Sequence, residues 1–347
     1  MTNIVIYTFI FFFVLFIYLH IVFQFKTSND LEVYELDLLS KEKLEEINNL
    51  KQPILLDYNN DIVNICNKSY LLNKYGMFDV KIRNIKENIN DDDELYIPMS
   101  FVNAIKAIEN DNESKYLIEN NDDFIEETNI RKYFNYNDEL LRPYLVNNVI
   151  YDFSIGSKGL KTPLKYELNC RNYLLITEGE IRIKLFPPKY NKYLHFMNDY
   201  ENFEFKSKIN PWNVENKYKN DFDKAKCVDL LIKPGKLLNI PPYWMYSIEY
   251  TNDTCICWFK YRTIMNNISI LPQLILKFLQ IKNIKKISFA KINNSNIVNI
   301  DHNVVNDNNV VNDNNVENDN NVVNDNNVEN DNNVENVNNV NSNNIKE

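Results

Sequence analysis

The pattern of apolar and polar positions divides the chain into stretches of different period. From Ile4 to Phe25 it reads IVIYTFIFFFVLFIYLHIVFQF, with no charged residue. As a helix this run spans ~33 Å, enough to cross a hydrocarbon core of ~30 Å. A cleaved signal peptide would want a basic leader, a shorter apolar stretch and a small-residue cleavage site. MTN supplies no side-chain cation and no A-x-A-like site follows, so residues 1–25 read as a retained single-pass anchor. His20 falls near one end of the run, within reach of headgroups. Residues 26–51 are polar and read as a linker that turns helical in SKEKLEEINNL. PILLDY and DVKIRNI have the branched, alternating character of strands, while SFVNAIKAIEN carries apolar residues at helical spacing. From Tyr151 onward the pattern becomes β. NYLLITEG, EIRIKLFPP, CVDLLIKPG, KLLNIPP and WMYSIEY are short aromatic or branched runs closed by Gly, Pro or Asn-Asp. After Met265, ISILPQLILKFLQIKNIKKISFAKI is apolar and basic, and residues 266–300 read as a helical segment packed on the domain, on a partner or on a membrane surface.

Turn punctuation is confined to one block. All eleven prolines lie between Pro53 and Pro272, and all five glycines between Gly76 and Gly235. That pattern predicts one globular domain over 52–265. Gly179 and Gly235 each end a strand where a tight turn needs positive φ, and Pro187-Pro188 and Pro241-Pro242 stop hydrogen-bonded ladders. Trp212, Trp244 and Trp258 are large anchors suited to the space between two sheets. From residue 301 to 347 a hexad recurs as VVNDNN or VENDNN, with too few apolar residues to offset chain entropy, so this tail reads as disordered.

Composition narrows the function. The chain is 44% hydrophobic and 13% aromatic, which supports a substantial core. The net charge of −10 resides almost wholly in the tail, where ten acidic residues face a single lysine. The folded part is close to neutral, so no nucleic-acid surface is indicated. Five scattered cysteines without a CxxC pair read as reduced thiols, and Cys255 and Cys257 would share one side of a strand. Histidine occurs only at positions 20, 195 and 302, so no site with two His ligands can be built in the middle of the chain.

Three stretches, in order, resemble the JmjC/cupin-like group of 2-oxoglutarate oxygenases. TPLKYE, from Thr162 to Glu167, sits where that family has Thr-Pro-x-His-x-Asp. Asn172 is followed seven residues on by Gly179, and then by Leu-Phe-Pro-Pro ending at Pro188. LLIKPGKLLNIPPYWMYSIEY, from Leu230 to Tyr250, is similar to the family's Pro-Gly-Asp and Ile-Pro-x-x-Trp-Trp-His segment. QPILLDY, LLNKYG and SKYLIEN are weaker echoes upstream. The resemblance covers roughly Gln52 to Tyr261. It implies a mainly β domain with N-terminal α/β elements, folded as a double-stranded β-helix (jelly roll).

The sequence departs from that family at the chemistry. The family's iron site uses two His and one carboxylate. Anchored on Thr162-Pro163, the His and Asp positions hold Lys165 and Glu167; anchored on Asn172, they fall at Tyr166 and Leu168. The distal His corresponds to Tyr246. The lysine that pairs with the 2-oxoglutarate carboxylate is replaced by Ile181, and the adjacent Arg182 would point to the other face of the strand. Only Thr162 survives among the matched cosubstrate positions, with Asn172 a further candidate contact for the cosubstrate. A protonated lysine repels Fe²⁺, and Glu167 with Lys165 could instead form a buried ion pair in the former metal cavity. The sequence thus predicts a membrane-anchored binding or scaffold protein without a metal or cofactor, held in the membrane by residues 4–25 and joined to a protein partner. An Fe(II)/2-oxoglutarate-dependent hydroxylase or demethylase with an unorthodox metal site is the rival. An enzyme of another class, with Lys165 and Tyr246 as acid–base groups, is a third reading. His195 reads as a lone structural histidine.

Overall fold

Strand alternation sorts the apolar residues of this chain onto two faces of a large sheet. The computed structural model describes residues 2–291, apart from 38, 87–95, 201 and 252. The repeat tail expected over 301–347 lies outside the described residues.

The first half mixes helix and strand: α1 (Thr2–Phe25), β1 (Tyr34–Leu36), α2 (Lys41–Asn48), β2 (Ile54–Asp57), α3 (Asp61–Ile65), α4 (Lys68–Tyr75), β3 (Asp79–Asn84), β4 (Tyr96–Ser100), α5 (Phe101–Glu109), β5 (Tyr116–Ile118), α6 (Asp122–Glu127) and α7 (Arg131–Leu141). The second half is almost all strand: β6 (Val146–Gly156), β7 (Lys165–Tyr166), β8 (Arg171–Glu178), β9 (Ile181–Phe186), β10 (Phe196–Asp199), β11 (Glu204–Ser207), the short α8 (Lys219–Phe222), β12 (Val228–Ile232), β13 (Lys236–Asn239), β14 (Met245–Tyr250) and β15 (Cys255–Thr263). Helices α9 (Ile264–Ser269) and α10 (Leu271–Lys291) follow.

The strands form a nine-stranded sheet, ordered β1-β2-β13-β8-β15-β6-β5-β3-β4, and a six-stranded sheet, ordered β10-β11-β7-β14-β9-β12. Four central strands of the first (β13, β8, β15, β6) and four of the second (β7, β14, β9, β12) make the jelly roll, with antiparallel pairing throughout. Leu174 and Ile176 of β8, Ile256 and Trp258 of β15, Ile181, Ile183 and Leu185 of β9, and Ile248 and Tyr250 of β14 fill the space between the sheets. Their neighbours Tyr173, Leu175, Cys255, Cys257, Phe259 and Tyr261 point the other way, into a second core roofed by the first-half helices. Period two therefore builds both cores from the same strands. Each fully buried Leu, Ile or Phe in them stabilises the fold by roughly 1.5–3 kcal/mol.

The turn punctuation falls where the sequence places it. Gly179 has φ +68° and Gly235 has φ +78°. β9 stops before Pro187, and β13 stops before Pro241. Two expectations need correction. Residues 26–51 are not a free linker: β1 pairs in parallel with β2, and α2 buries Leu44 and Asn48, the latter accepting no role in solvent but donating to the Tyr173 hydroxyl at 2.8 Å. One buried stripe on an otherwise charged helix is enough to dock it, which its polar composition concealed. Trp212 does not lie between the sheets as Trp244 and Trp258 do. It sits on the outer face of the smaller sheet, its indole donating to Ser247 Oγ at 2.7 Å with the Lys184 ammonium 4.5 Å from the ring. Cation–π contact satisfies its faces there.

All five cysteines are free; four are buried and Cys227 is half-buried. Asn3–Phe25 is the only stretch among the described residues that is long and apolar enough to cross a membrane.

Candidate functional site

Charged side chains converge between the sheets, where the jelly roll brings several strands into register. β7 sets Lys165 opposite Tyr246 of β14, and opposite Lys206 of β11 on its other side. Paired residues share a face. Lys165, Tyr246 and Lys206 therefore all point inward, as does Glu204, two residues before Lys206. On β15 the alternation that turns Ile256 and Trp258 inward carries Lys260 with them. β6 contributes Asp152, β3 contributes Arg83, and Glu119 follows directly on β5.

Glu167 is the hub. Its Oε1 accepts from the Tyr246 hydroxyl at 2.7 Å and from the Lys260 ammonium at 2.9 Å. Its Oε2 accepts from the Asn169 amide at 2.7 Å, and Asn169 is held in turn by Arg262 Nε at 2.7 Å. Lys165 lies 3.7 Å from Glu119, which is also ion-paired with Arg83; the Arg83 guanidinium is 3.8 Å from Glu204. Asp152 accepts the backbone N–H groups of Asn120 and Asn121 at 2.8 and 2.9 Å. Sequence reasoning coupled Lys165 directly to Glu167. The structure gives each a different contact partner, Glu119 and Lys260, within one network.

Burial and mutual attraction compete at every member. Burial alone would push the Glu167 carboxyl up, but Lys260 and Lys165 outweigh it and hold the group at about 2. Glu119 is likewise held low, chiefly by Arg83 acting against desolvation. The Lys165 ammonium is kept protonated, burial notwithstanding, by Glu119, Glu204 and Glu167. At two members burial wins: the Asp152 carboxyl is raised to about 6 and Lys206 is lowered to about 7, with Arg83 adding to the second effect. Burial and the adjacent Glu167 charge raise Tyr246 well above the usual phenol range.

The choice between the two sequence registers is now physical. Tyr166 and Leu168 face away from the network: Tyr166 stacks on Phe205 with centroids 5.0 Å apart, and Leu168 packs with Phe205 and Ile270. Lys165, Glu167 and Tyr246 occupy the inward positions. This donor set does not fit a ferrous ion. An ammonium repels it, and both oxygens of the single carboxylate already accept hydrogen bonds. No group of three His, Cys, Asp or Glu among the described residues stands close enough together to hold a metal ion. His195 is far from suited to help, being half-exposed and hydrogen-bonded to Asp221 at 2.9 Å.

Thr162 and Ile181, two of the cosubstrate positions, are equally committed. The Thr162 hydroxyl accepts from the Ile248 N–H at 2.9 Å, and its carbonyl accepts from Ser247 at 2.6 Å. Ile181 is fully buried in the core opposite Tyr250. Arg182 lies on the outer face, clasped by both oxygens of Asp229 at 2.8 Å. Asn172 is buried on β8 opposite Lys260.

A profile of the cupin-like domain family matches residues 42–265, which take in every strand of the two sheets except β1. This chain belongs to the cupin-like domain family. Proteins named HSPB1-associated protein 1 from Rattus norvegicus, Mus musculus and Homo sapiens are 32% identical to this chain over 96 residues, 27% of its length. The match spans 20% of those relatives.

Within this cupin-like domain, Lys260, Glu119, Arg83, Glu204, Lys206 and Asp152 were not singled out from sequence. Lys260 had a usable signal. If Cys255 and Cys257 share one strand face, Trp258 and Lys260 share the other. Arg83 and Glu119 carried none, since only the β5–β3 pairing brings them to Lys165.

Proposed function

We propose that this protein is a membrane-held cupin-like binding module without oxygenase chemistry. The observation that carries the reading is the closed set of contacts around Glu167. At the positions where the family resemblance would put metal ligands, a lysine, a glutamate and a tyrosine are tied into an ion-pair network that also takes in Lys260. Breaking a buried pair costs several kcal/mol, so a metal cannot displace these contacts cheaply. No metal or 2-oxoglutarate is needed in this reading. α1 serves as the anchor, its apolar side chains exposed along most of its length. The partner is a protein, an idea supported by the relatives' name, which describes association with another protein.

The test is an uncoupled-turnover assay on the full chain in lipid nanodiscs, with Fe²⁺ and 2-oxoglutarate supplied. Succinate is expected at the no-enzyme level. Chelator-sensitive succinate production above that control would sink the proposal.

A further inference from the structure

The two C-terminal helices present apolar side chains that the domain does not cover. Ile268 on α9 and Leu271, Ile275, Leu276, Phe278 and Leu279 on α10 are all exposed. Scattered single exposures would need no explanation, but a continuous run marks an interaction surface.

The position of α1 says what meets it. Half-buried positions on α1 recur at Ile17, His20, Ile21 and Gln24, a helical spacing that places one face of its last two turns against protein. That protein is α9. The end of α1 is fixed further by Phe25 against Tyr243, with centroids 6.4 Å apart, and by the Lys51 ammonium 5.1 Å from the Phe23 ring.

Length then decides the depth. All 24 residues of α1 give ~36 Å of helix, but the part before Ile17 gives only ~22 Å. A hydrocarbon core of ~30 Å is not crossed by that part alone. The shortfall of ~8 Å must come from the turns that pack on α9, and it equals the ~5–10 Å to which interfacial helices sink. We propose that α9 and the first turns of α10 are seated in the leaflet where α1 ends, with Ile268, Leu271, Ile275 and Leu279 among the lipid chains. The occupant of this surface is the bilayer itself. The inference rests on the reading of α1 as a membrane span.

The experiment uses the full chain in the Cys227→Ser background, since the other native thiols are buried. Single cysteines carrying an NBD fluorophore replace Ile275, Phe12 on α1, and Leu231, an exposed position on β12. Each protein is reconstituted in phosphatidylcholine vesicles with or without brominated acyl chains. Emission at position 275 is expected to fall about twofold in brominated lipid, and emission at 231 to stay unchanged. Unchanged emission at 275 overturns the proposal. Blue-shifted emission at 275 that ignores bromine and grows with protein density overturns it too, in favour of a second copy on this face. Position 12 reports on the anchor separately: quenching at 12 without quenching at 275 leaves the anchor standing and removes the interfacial seat.

Discussion

Lys260 reaches the same carboxylate oxygen of Glu167 that accepts the Tyr246 hydroxyl, at 2.9 and 2.7 Å. The two donors come from different sheets, β15 and β14, so one carboxylate fastens the jelly roll across its interior. A buried charge is tolerated only when paired and hydrogen-bonded. Each member of this cluster therefore depends on the others remaining in place.

Substituting the hub exposes that dependence. Glu167→Gln leaves the Lys260 ammonium without its closest counter-charge and is expected to destabilise by about 3–5 kcal/mol. For a domain of this size the thermal midpoint should fall by roughly 6–15 °C. The double variant Glu167→Leu with Lys260→Met removes both charges and should be less damaging than Glu167→Gln alone. Thermal unfolding of the full chain in detergent measures both. A double variant worse than the single would mean that the pair does more than neutralise itself.

Acid should undo the same contact with a definite sign. The Glu167 carboxyl is held at about 2, below its ordinary 4.5. Its contribution is fully present above about pH 4.5 and is lost as pH falls toward 2, amounting to about 3 kcal/mol. Asp152, raised to about 6, acts with the opposite sign, contributing most when protonated and losing that contribution as pH rises through 6. Midpoints recorded from pH 6 to pH 2.5 should therefore rise for the native chain as Asp152 takes up its proton and then fall along a limb below about pH 4.5. Glu167→Gln should flatten that limb, and Tyr246→Phe, which removes a donor to the carboxylate, should move it upward in pH. A limb unchanged in Glu167→Gln would assign acid lability elsewhere.

How much of this was legible before the fold was known differs by feature. β8, β9, β12, β13 and β14 could be read because each is a branched or aromatic run closed by Gly, Pro or Asn-Asp, and backbone chemistry is local. The substitutions at Lys165, Glu167 and Tyr246 could be read because they sit inside motifs of fixed spacing. The register ambiguity after Thr162 was resolved only by the pairing of Lys165 with Tyr246, which has no local signature. The same limit concealed Glu119 and Arg83. They come from strands far earlier in the chain, and nothing in YLIE or KIR signals a carboxylate or a guanidinium facing a distant lysine. Trp212 was misplaced for a different reason: an aromatic between two strands reads as core, while surrounding cations stabilise it on the surface equally well.

Two glycines separate crowding from conformation. At Gly156, at the end of β6, an added Cβ would stand 2.8 Å from the Tyr250 ring and 2.9 Å from Leu160 Cδ2. Neither neighbour can yield easily. Leu160 is fully buried, and Tyr250 is pinned by its hydroxyl contact with Ser154 Oγ at 2.9 Å. At Gly235 an added Cβ meets nothing within 4 Å, but φ is +78°. Gly235→Ala should therefore cost only the left-handed backbone penalty, about 1–2 kcal/mol. Gly156→Ala forces side chains off their rotamers in a packed core, at about 1–3 kcal/mol or more, and also strains the Tyr250–Ser154 contact. The thermal midpoint should fall further for Gly156→Ala than for Gly235→Ala. The reverse order would mean that the space between the sheets is looser than the positions of Tyr250 and Leu160 imply.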